Sequence, residues 1–377
     1  MRKNGRITAY IHLDAIAENF ENMRANLREG TQMVAVVKTD GYGHGAVPIA
    51  QMAEAYEYIW GFAVAAVSEA LELRRAGIKK PILILGYSFE EDYEEMAEAG
   101  IRPAVFTYEM AEAFSRAAQK KGICAPVHIA VDTGMSRIGV PWEEKGAELA
   151  VRISRLSHIQ IEGVFTHFAK ADETDKAFTR IQMDRFVQFC DGLQEKGVEG
   201  FIRHCSNSAG ILEIPKANMD MARAGISIYG IYPSDEVSRS YVRLRPAMEL
   251  KSHIVYIKTI EKGASVSYGG TFTAGEPMQI ATIPVGYGDG YPRSLSNKGC
   301  VLIRGQRAPI LGRVCMDQFM VDVTGIDAEP LDEVTLLGRD GEEQITLEEL
   351  DTLSGRFPYE FVCDIGKRVP RIYLTEK

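Results

Sequence analysis

Apolar residues follow two alternating patterns along the first two thirds of the chain. Short apolar runs, rich in β-branched residues and bounded by glycine or proline, indicate buried strands. Longer stretches with helical spacing lie between them, for example Ser68 to Ala76, Tyr108 to Lys121 and Thr174 to Lys196. The predicted strands are Gln32 to Lys38, Tyr58 to Val64, Pro81 to Gly86, Pro103 to Phe106, Val127 to Asp132, Gln160 to Thr166, Phe201 to His204 and Met219 to Arg223.

Eight strands that alternate with helices are typical of a (β/α)8 barrel of the TIM type. A doubly wound open sheet is the alternative, and the strand count favours the barrel. The segment from Thr8 to Leu13 alternates like a half-buried strand, and Asp14 is suited to cap the helix that follows it.

From about Leu244 the pattern changes to short β-rich runs separated by glycine-rich turns, which predicts a second, mostly β domain. The strand near Tyr10 is a candidate to join this domain. We therefore expect a barrel over residues 12–242 and a β domain made of residues 1–11 and 243–377. The predicted β-domain elements are strands at Met248 to Thr259, Met278 to Val285, Cys300 to Ile303, Phe319 to Val323 and Glu333 to Leu337, and a short helix at Leu347 to Leu353.

Composition narrows the class of protein. The 377 residues are 46% hydrophobic and 25% charged, with a net charge of −9 that argues against a nucleic-acid partner. No apolar run is long enough to span a membrane, and the N-terminus lacks a signal-peptide pattern. The six cysteines show no metal-like spacing, so we expect free thiols, no metal site and a cytoplasmic location.

Lys38 is the strongest candidate for chemistry. It ends an apolar run and opens a glycine-rich turn, so it falls at the end of a barrel strand, where barrel enzymes keep their active sites. A partly desolvated lysine can form a Schiff base with a carbonyl such as that of pyridoxal phosphate. A solvated lysine at a strand end is the simpler alternative.

Other polar groups fall at the ends of later strands. Arg137 lies in the loop after the fifth strand, His167 ends the sixth, and Arg223 ends the eighth. Each has a structural alternative, such as pinning a turn or filling the core. Ser208 and the backbone N–H groups of Gly225 and Ile226 follow strands seven and eight, where barrels commonly bind phosphate. Together these groups suit a phosphorylated aldehyde cofactor.

Three glycine-rich segments stand out in the β domain: residues 267–271, 286–293 and 312–318. They carry an exposed-looking Tyr268 and a Cys-Met pair beside charged residues. Ordinary hairpin turn chemistry explains all three equally well. The sequence alone does not place them near Lys38.

Nine motifs in order resemble the bacterial alanine racemase family over essentially the whole chain. They are VVKTDGYGHG (36–45), DTGMSRIG (132–139), THFAKADE (166–173), HCSNSAG (204–210), RAGISIYG (223–230), VSYGG (266–270), PVGYGDGYPR (284–293), GRVCMDQ (312–318) and PYE (358–360). The resemblance implies a fold-type III pyridoxal 5′-phosphate enzyme, with a barrel, a β domain that includes the first strand, and a homodimer with composite active sites. It also implies racemisation of alanine for peptidoglycan synthesis.

The resemblance also implies roles for individual residues. Lys38 would bind the cofactor and act as one catalytic base, and Tyr268 of the partner subunit would be the other. Arg223 would face the pyridine nitrogen, and His167 would support the ring and orient Tyr268. Arg137 would contact the oxygen side of the cofactor ring and, with the Met316 backbone, would bind the substrate carboxylate. The implied phosphate-binding residues are Tyr42, Ser208, Gly225, Ile226 and Tyr359, and Asn207 is a further implied cofactor-binding residue.

Two positions, Ala130 and Tyr359, bear on how this chain departs from the family pattern and on which amino acid it uses as substrate. Many family members have a lysine, often carbamylated, where this chain has Ala130, so we expect a small anion such as chloride to support Arg137 instead. Tyr359 would narrow the side-chain pocket and favour alanine, although a serine or broad-specificity racemase is the alternative. A fold-type III decarboxylase is the other alternative, and it would call for a carboxylate rather than Arg223 at the pyridine nitrogen.

Overall fold

The structure is a computed structural model that describes residues 5–375. Its contacts divide the chain into two compact units. The β unit contains the described parts of Met1–Asp14 and Ala247–Lys377, and the barrel unit contains Ala15–Gly41 and Gly45–Pro246. The tripeptide Tyr42–His44 groups with the β unit although it lies within the barrel sequence, a division that the hydrophobic pattern did not predict.

The two units are built from short strands and helices. The strands are β1 (Ile7–His12), β2 (Gln32–Val36), β3 (Ile59–Val64), β4 (Ile82–Ile84), β5 (Ile101–Val105), β6 (Ala125–Asp132), β7 (Val140–Pro141), β8 (Ile159–Phe165), β9 (Ile202–His204), β10 (Met221–Ala224), β11 (Met248–His253), β12 (Tyr256–Ile260), β13 (Ser265–Val266), β14 (Phe272–Thr273), β15 (Met278–Ile283), β16 (Cys300–Ile303), β17 (Gln306–Leu311), β18 (Phe319–Asp322), β19 (Glu333–Asp340), β20 (Glu343–Ile345) and β21 (Arg371–Leu374). The α-helices are Leu13–Ala25, Ala46–Ala53, Val67–Arg75, Tyr93–Glu98, Tyr108–Lys120, Glu144–Ser154, Ala177–Glu195, Ser208–Glu213, Leu347–Ser354 and Pro358–Asp364.

The barrel unit is a nearly closed sheet of eight parallel strands in the order β10-β2-β3-β4-β5-β6-β8-β9. The predicted (β/α)8 barrel is therefore confirmed, with strand ends that differ by a few residues. At the seam between β9 and β10, backbone N–H groups of Asp220 and Arg223 donate to the carbonyls of Arg203 (3.2 Å) and Ser206 (3.1 Å). Continuous apolar strands fill the interior, because both faces of a barrel strand are covered.

Helix starts in the barrel unit show how local chemistry sets the boundaries. Thr107 caps the helix Tyr108–Lys120, where its Oγ1 accepts a hydrogen bond from the Met110 N–H (3.2 Å). The predicted cap at Asp14 is wrong, because the helix begins at Leu13 and Asp14 lies in its first turn. A carboxylate there still interacts favourably with the helix dipole.

The β unit contains one large sheet in the order β12-β15-β18-β17-β16-β19-β11-β1-β21, and β20 pairs with β19. Strand β1 pairs antiparallel with β11 and parallel with β21, so the start of the chain is part of this sheet. The single strand predicted from Met248 to Thr259 is in fact two strands, β11 and β12. The prediction missed β17, β21 and the helix Pro358–Asp364, whose partly exposed positions break the apolar pattern.

Candidate active site

Lys38 lies just beyond β2, at the start of a left-handed turn. The three residues after it have φ values of 53°, 50° and 60°, and the Gly41 N–H donates to the Val37 carbonyl (2.8 Å). A positive φ is unfavourable for a β-branched residue such as Thr39, so surrounding contacts must hold the turn. The carboxylate of Glu69 does so by accepting a hydrogen bond from the Thr39 N–H. Strained turns of this kind are concentrated at functional sites.

The Lys38 side chain borders a cavity of about 260 Å³ at the C-terminal ends of the barrel strands. Its polar lining comes from loops that are distant in sequence, including Arg137, Thr166, His167 and Arg223. Three of the predicted site residues therefore share one cavity with Lys38. This is the end of the barrel where such folds carry their chemistry.

Arg223 is buried, with 2% of its surface exposed. Its guanidinium donates hydrogen bonds to the backbone carbonyls of Thr166 (2.7 Å), His204 (2.8 Å) and Cys205 (3.1 Å), and Nη1 lies 3.0 Å from Nδ1 of His204. Among residues 5–375 no carboxylate pairs with it. Burial lowers the pKa of Arg223 to about 10, so the side chain remains a cation near neutral pH.

A chain of hydrogen bonds leads outward from Arg223. Nε2 of His204 lies 2.9 Å from Nδ1 of His128, and Nε2 of His128 lies 3.1 Å from Oε2 of Glu162. Burial lowers the pKa of both histidines, so each carries one ring proton. Because His204 Nδ1 accepts from Arg223, its Nε2–H must donate to His128, and the Nε2–H of His128 must donate to Glu162.

Glu162 ends this chain in an ion pair with Arg102, whose Nε lies 3.0 Å from Oε2. Burial alone raises the pKa of the Glu162 carboxyl. Hydrogen bonds from His128 and Arg102 outweigh that effect and lower the pKa to about 2. The negative charge of Glu162 therefore orients His128 and His204, the two neutral histidines that support Arg223.

His167 lies beside the cavity with Nδ1 3.4 Å from Nη2 of Arg223. Burial, and then the positive charges of Arg223, Arg137 and Lys38, lower the pKa of His167 to about 3. It is therefore a neutral imidazole near neutral pH. Its backbone carbonyl accepts from Nε2 of Gln182 (3.0 Å), which fixes the segment in place.

The predicted phosphate-binding groups of the barrel unit meet in the loops after β9 and β10. Ser208 Oγ accepts a hydrogen bond from the Gly225 N–H (3.0 Å). Ile226 is the first residue of a 3-10 helix (Ile226–Tyr229), where the amide N–H has no acceptor within the helix. Asn207 caps the helix Ser208–Glu213 through Oδ1, which accepts from the Gly210 N–H (3.1 Å) and leaves its amide NH₂ for a ligand.

Arg137 differs from Arg223 in making no hydrogen bond or ion pair with residues 5–375. Within the described part of the chain its side chain is exposed and makes no hydrogen bond or ion pair. Asp132 shapes the loop instead, because its Oδ1 accepts from the N–H groups of Gly134 (2.9 Å) and Ser136 (3.0 Å). The side chain of Ala130, which also lines the cavity, offers Arg137 no acceptor.

Two predicted phosphate-binding tyrosines belong to the β unit. The rings of Tyr42 and Tyr359 meet edge to face with centroids 6.1 Å apart. Phe357 stacks on Tyr359 at 4.5 Å. Their juxtaposition fixes both rings within this unit.

The structure brings together the three glycine-rich segments of the β unit. We call them the loop platform, which comprises residues 267–271, 286–293 and 312–318. Ser267 Oγ donates to the Arg313 carbonyl (2.7 Å), and the N–H groups of Tyr287 and Gly288 donate to the carbonyls of Cys315 (3.0 Å) and Met316 (2.9 Å). Tyr268 and Met316 project from the platform, 73% and 54% exposed.

Sequence reasoning missed the residues that support the site. His128 and Glu162 lie within predicted strands, and Glu69 lies on a helix, so none of them falls in a loop at the site. The available signal was a histidine inside the apolar run at Val127 to Asp132, since a buried polar group on a barrel strand requires a partner.

The described residues contain no group of His, Cys, Asp or Glu that could hold a metal ion. None of their helices is both long and apolar enough to cross a membrane. The candidate site of the barrel unit contains Lys38, Arg137, His167 and Arg223 around one cavity.

A parallel barrel with a polar cavity at its mouth, together with a mostly β domain, defines a two-domain class of barrel enzymes. The chain belongs to the alanine racemase family. Residues 11–233 match the family model "Alanine racemase, N-terminal domain", and residues 247–373 match "Alanine racemase, C-terminal domain".

Individual relatives match along nearly their whole length. The chain is 45% identical to an alanine racemase of Desulforamulus reducens over 370 residues, which are 98% of this chain and 99% of the relative. A solved alanine racemase of Clostridium difficile 630 is 40% identical with a TM-score of 0.94, over 99% and 97% of the two chains. One from Bacillus anthracis with bound L-Ala-P is 35% identical with a TM-score of 0.92, over 99% and 96%.

Proposed function

We propose that this protein is an alanine racemase that interconverts L- and D-alanine with pyridoxal 5′-phosphate. The observation that carries the proposal is the cavity shared by Lys38 and Arg223, in which Arg223 has no carboxylate partner among the described residues. The relatives named alanine racemase support the same activity. The D-alanine formed would supply peptidoglycan synthesis, in the cytoplasm.

The residues present fit this cofactor. Lys38 Nζ would bind its aldehyde carbon, Arg223 would donate to its pyridine nitrogen, and His167 would support the ring. Ser208, Asn207 and the amides of Gly225 and Ile226 would hold the phosphate. By the family resemblance, Tyr42 and Tyr359 are further candidate phosphate ligands. The amide of Ile226, which has no acceptor within its helix, is the group that most directly suits a phosphate oxygen.

The chemistry that the bound cofactor supplies is electron withdrawal from the Cα of an amino acid, which acidifies its hydrogen. Inversion then needs a base on one face of Cα and an acid on the other. Lys38 Nζ serves one face and takes the proton from D-alanine. Tyr268 Oη serves the other and takes it from L-alanine. Arg137 and the Met316 N–H bind the substrate carboxylate.

Tyr268 and Met316 would act in the active site of a second copy of the chain. Their exposure on the loop platform is compatible with this assignment, because both side chains are accessible to a second copy. The functional form would be a homodimer with composite active sites.

Arg223 also argues against a decarboxylase. A permanent cation opposite the pyridine nitrogen disfavours protonation of that nitrogen, whereas decarboxylation benefits from a strong electron sink and a carboxylate partner. The chain's relatives do not favour that alternative either. A serine or broad-specificity racemase differs only in the side-chain pocket, so substrate comparison must separate the two.

The test is to incubate the purified protein with L-alanine, and separately with L-serine, in deuterated water. D-enantiomer formation and α-hydrogen exchange are followed together. We expect D-alanine with exchange, formed faster than D-serine, and no activity in Lys38→Arg. Faster D-serine formation would change the substrate, and carbon dioxide release without inversion would overturn the proposal in favour of a decarboxylase.

A further inference from the structure

The loop platform contains a buried carboxylate, Asp289, that the proposed function does not use. It is 1% exposed. Its Oδ2 accepts hydrogen bonds from the Gly286 N–H (2.9 Å) and from Nη2 of Arg6 (3.0 Å), and its Oδ1 lies 2.7 Å from Nε of Arg368. The charge of Asp289 is thus surrounded by two cations and one amide, all of the β unit.

The same two arginines reach the neighbouring loop of the platform. Nη2 of Arg368 donates to Oδ1 of Asp317 (2.9 Å), and Nη2 of Arg6 donates to the Asp317 backbone carbonyl (3.2 Å). Two cations therefore bridge two carboxylates, one buried and one at the surface. The arrangement ties residues 286–291 to residues 312–318 through Asp289.

Backbone packing holds residues 286–291 and residues 312–318 in direct contact. The Gly288 N–H donates to the Met316 carbonyl (2.9 Å), and a Cβ at Gly286 would lie 2.3 Å from the same oxygen. Only glycine allows this approach. A shift of the loop that carries Asp289 would therefore shift Met316 as well.

We propose that Asp289 is a positioning residue for substrate binding, because with Arg6 and Arg368 it fixes the backbone amide of Met316. This rests on the proposed function, in which that amide binds the substrate carboxylate. A buried charge that has paired partners holds one geometry, since any movement that breaks the pairs leaves charge uncompensated. The motif PVGYGDGYPR thereby gains a role beyond turn formation.

The test compares wild type with Asp289→Asn, which keeps the shape and an acceptor for Gly286 but removes the charge. The matched control is Asp332→Asn, which breaks an ion pair with Arg304 (2.8 Å) in the same unit but outside the platform. Hydrogen–deuterium exchange of the protein without substrate is followed by mass spectrometry. We expect faster exchange, by about tenfold, in peptides covering 286–291 and 312–318 for Asp289→Asn only.

Kinetics supply the second readout. In Asp289→Asn we expect the KM for alanine to rise about tenfold while kcat stays within about twofold, since the substrate hydrogen bond weakens but the bases remain. Arg6→Ala, which removes one of the two half-exposed partners, should give a smaller change in the same direction and serves if Asp289→Asn does not fold.

An unchanged exchange pattern, or an equal effect in the control, would overturn the proposal. Faster exchange across the whole β unit with a loss of kcat would also overturn it, because Asp289 would then be only a stabilising residue. If wild type does not racemise alanine, the proposed function fails, whereas the exchange experiment still tests whether Asp289 holds the platform.

Discussion

Arg223 in the barrel unit and Asp289 in the β unit are equally buried, yet their charges are accommodated in opposite ways. Asp289 is matched by two arginines. Arg223 is held by three backbone carbonyls and a neutral histidine, and no carboxylate among the described residues pairs with it. Partners of opposite charge hold Asp289 in one position and cancel its electric field. Neutral acceptors hold Arg223 in one position but leave the electric field of its positive charge uncancelled. We infer that the charge of Arg223 acts on a ligand in the barrel cavity, whereas the charge of Asp289 stabilises the structure of the β unit.

The largest expected effect comes from reversing the charge at Arg223. Arg223→Glu should lower kcat for alanine racemisation on the order of 10³-fold and raise pyruvate formation relative to D-alanine, because a carboxylate favours protonation of the pyridine nitrogen and promotes transamination. Arg223→Lys is the control, since it retains the cation. Steady-state racemisation and pyruvate assays check this. If Arg223→Glu formed pyruvate and D-alanine in the same ratio as wild type, the charge at this position would not determine the reaction outcome.

The outer end of the histidine chain offers a stability test. Glu162→Gln should lower the free energy of unfolding near neutral pH by about 1–3 kcal/mol, since His128 and Arg102 lose their anionic partner. The folded-state pKa of Glu162 is about 2, below its ordinary value of 4.5. This stabilisation is therefore complete above pH 4.5 and is lost as the pH falls towards 2.

Urea unfolding of wild type and Glu162→Gln at pH 7, 5 and 4 measures that difference. Glu112→Gln, which removes an exposed ion pair with Arg116, should cost less than about 0.5 kcal/mol. The difference between wild type and Glu162→Gln should be equal at pH 7 and pH 5 and smaller at pH 4, whereas a difference that grows on acidification would contradict the sign.

A smaller effect is expected at Tyr359, whose ring packs against those of Tyr42 and Phe357. Tyr359→Asn should raise serine turnover relative to alanine by about tenfold, because the smaller side chain no longer narrows the substrate pocket. The effect is limited, since a pocket excludes an added hydroxyl only modestly. The ratio of kcat/KM values for the two substrates measures it, with Tyr359→Phe as the control for the hydroxyl. An unchanged ratio in Tyr359→Asn would exclude Tyr359 from substrate choice.

The smallest expected effect concerns Arg137, a third arginine that has neither a carboxylate nor a carbonyl partner in the described chain. If a small anion supports it beside Ala130, replacing chloride by gluconate at constant ionic strength should raise the KM for alanine about twofold to fivefold. The variant Arg137→Ala should show no halide dependence. A wild-type KM that is indifferent to chloride would refute the anion hypothesis.

The sequence was informative where a local pattern determines the structure. Buried parallel strands read as continuous apolar runs, so all eight barrel strands could be predicted, and the ends of those strands pointed to Lys38 and Arg223. The role of Asp289 could not be predicted, because its partner Arg6 is 283 residues away in sequence. Its glycine-rich surroundings were indistinguishable from an ordinary turn. The pairing of His128 with His204 is likewise a property of the closed barrel.

The tripeptide Tyr42–His44 limits how this protein can be recombined in evolution. A Cβ at Gly43 would lie 2.0 Å from the Val362 carbonyl oxygen, and Arg371 Nε donates to the Gly43 carbonyl (3.0 Å). Four residues after Lys38 the chain thus enters a packing environment made by the end of the sequence. A foreign β domain joined after Pro246 would have to reproduce both contacts. Gene exchange should therefore conserve the two segments together, although about 320 residues separate them.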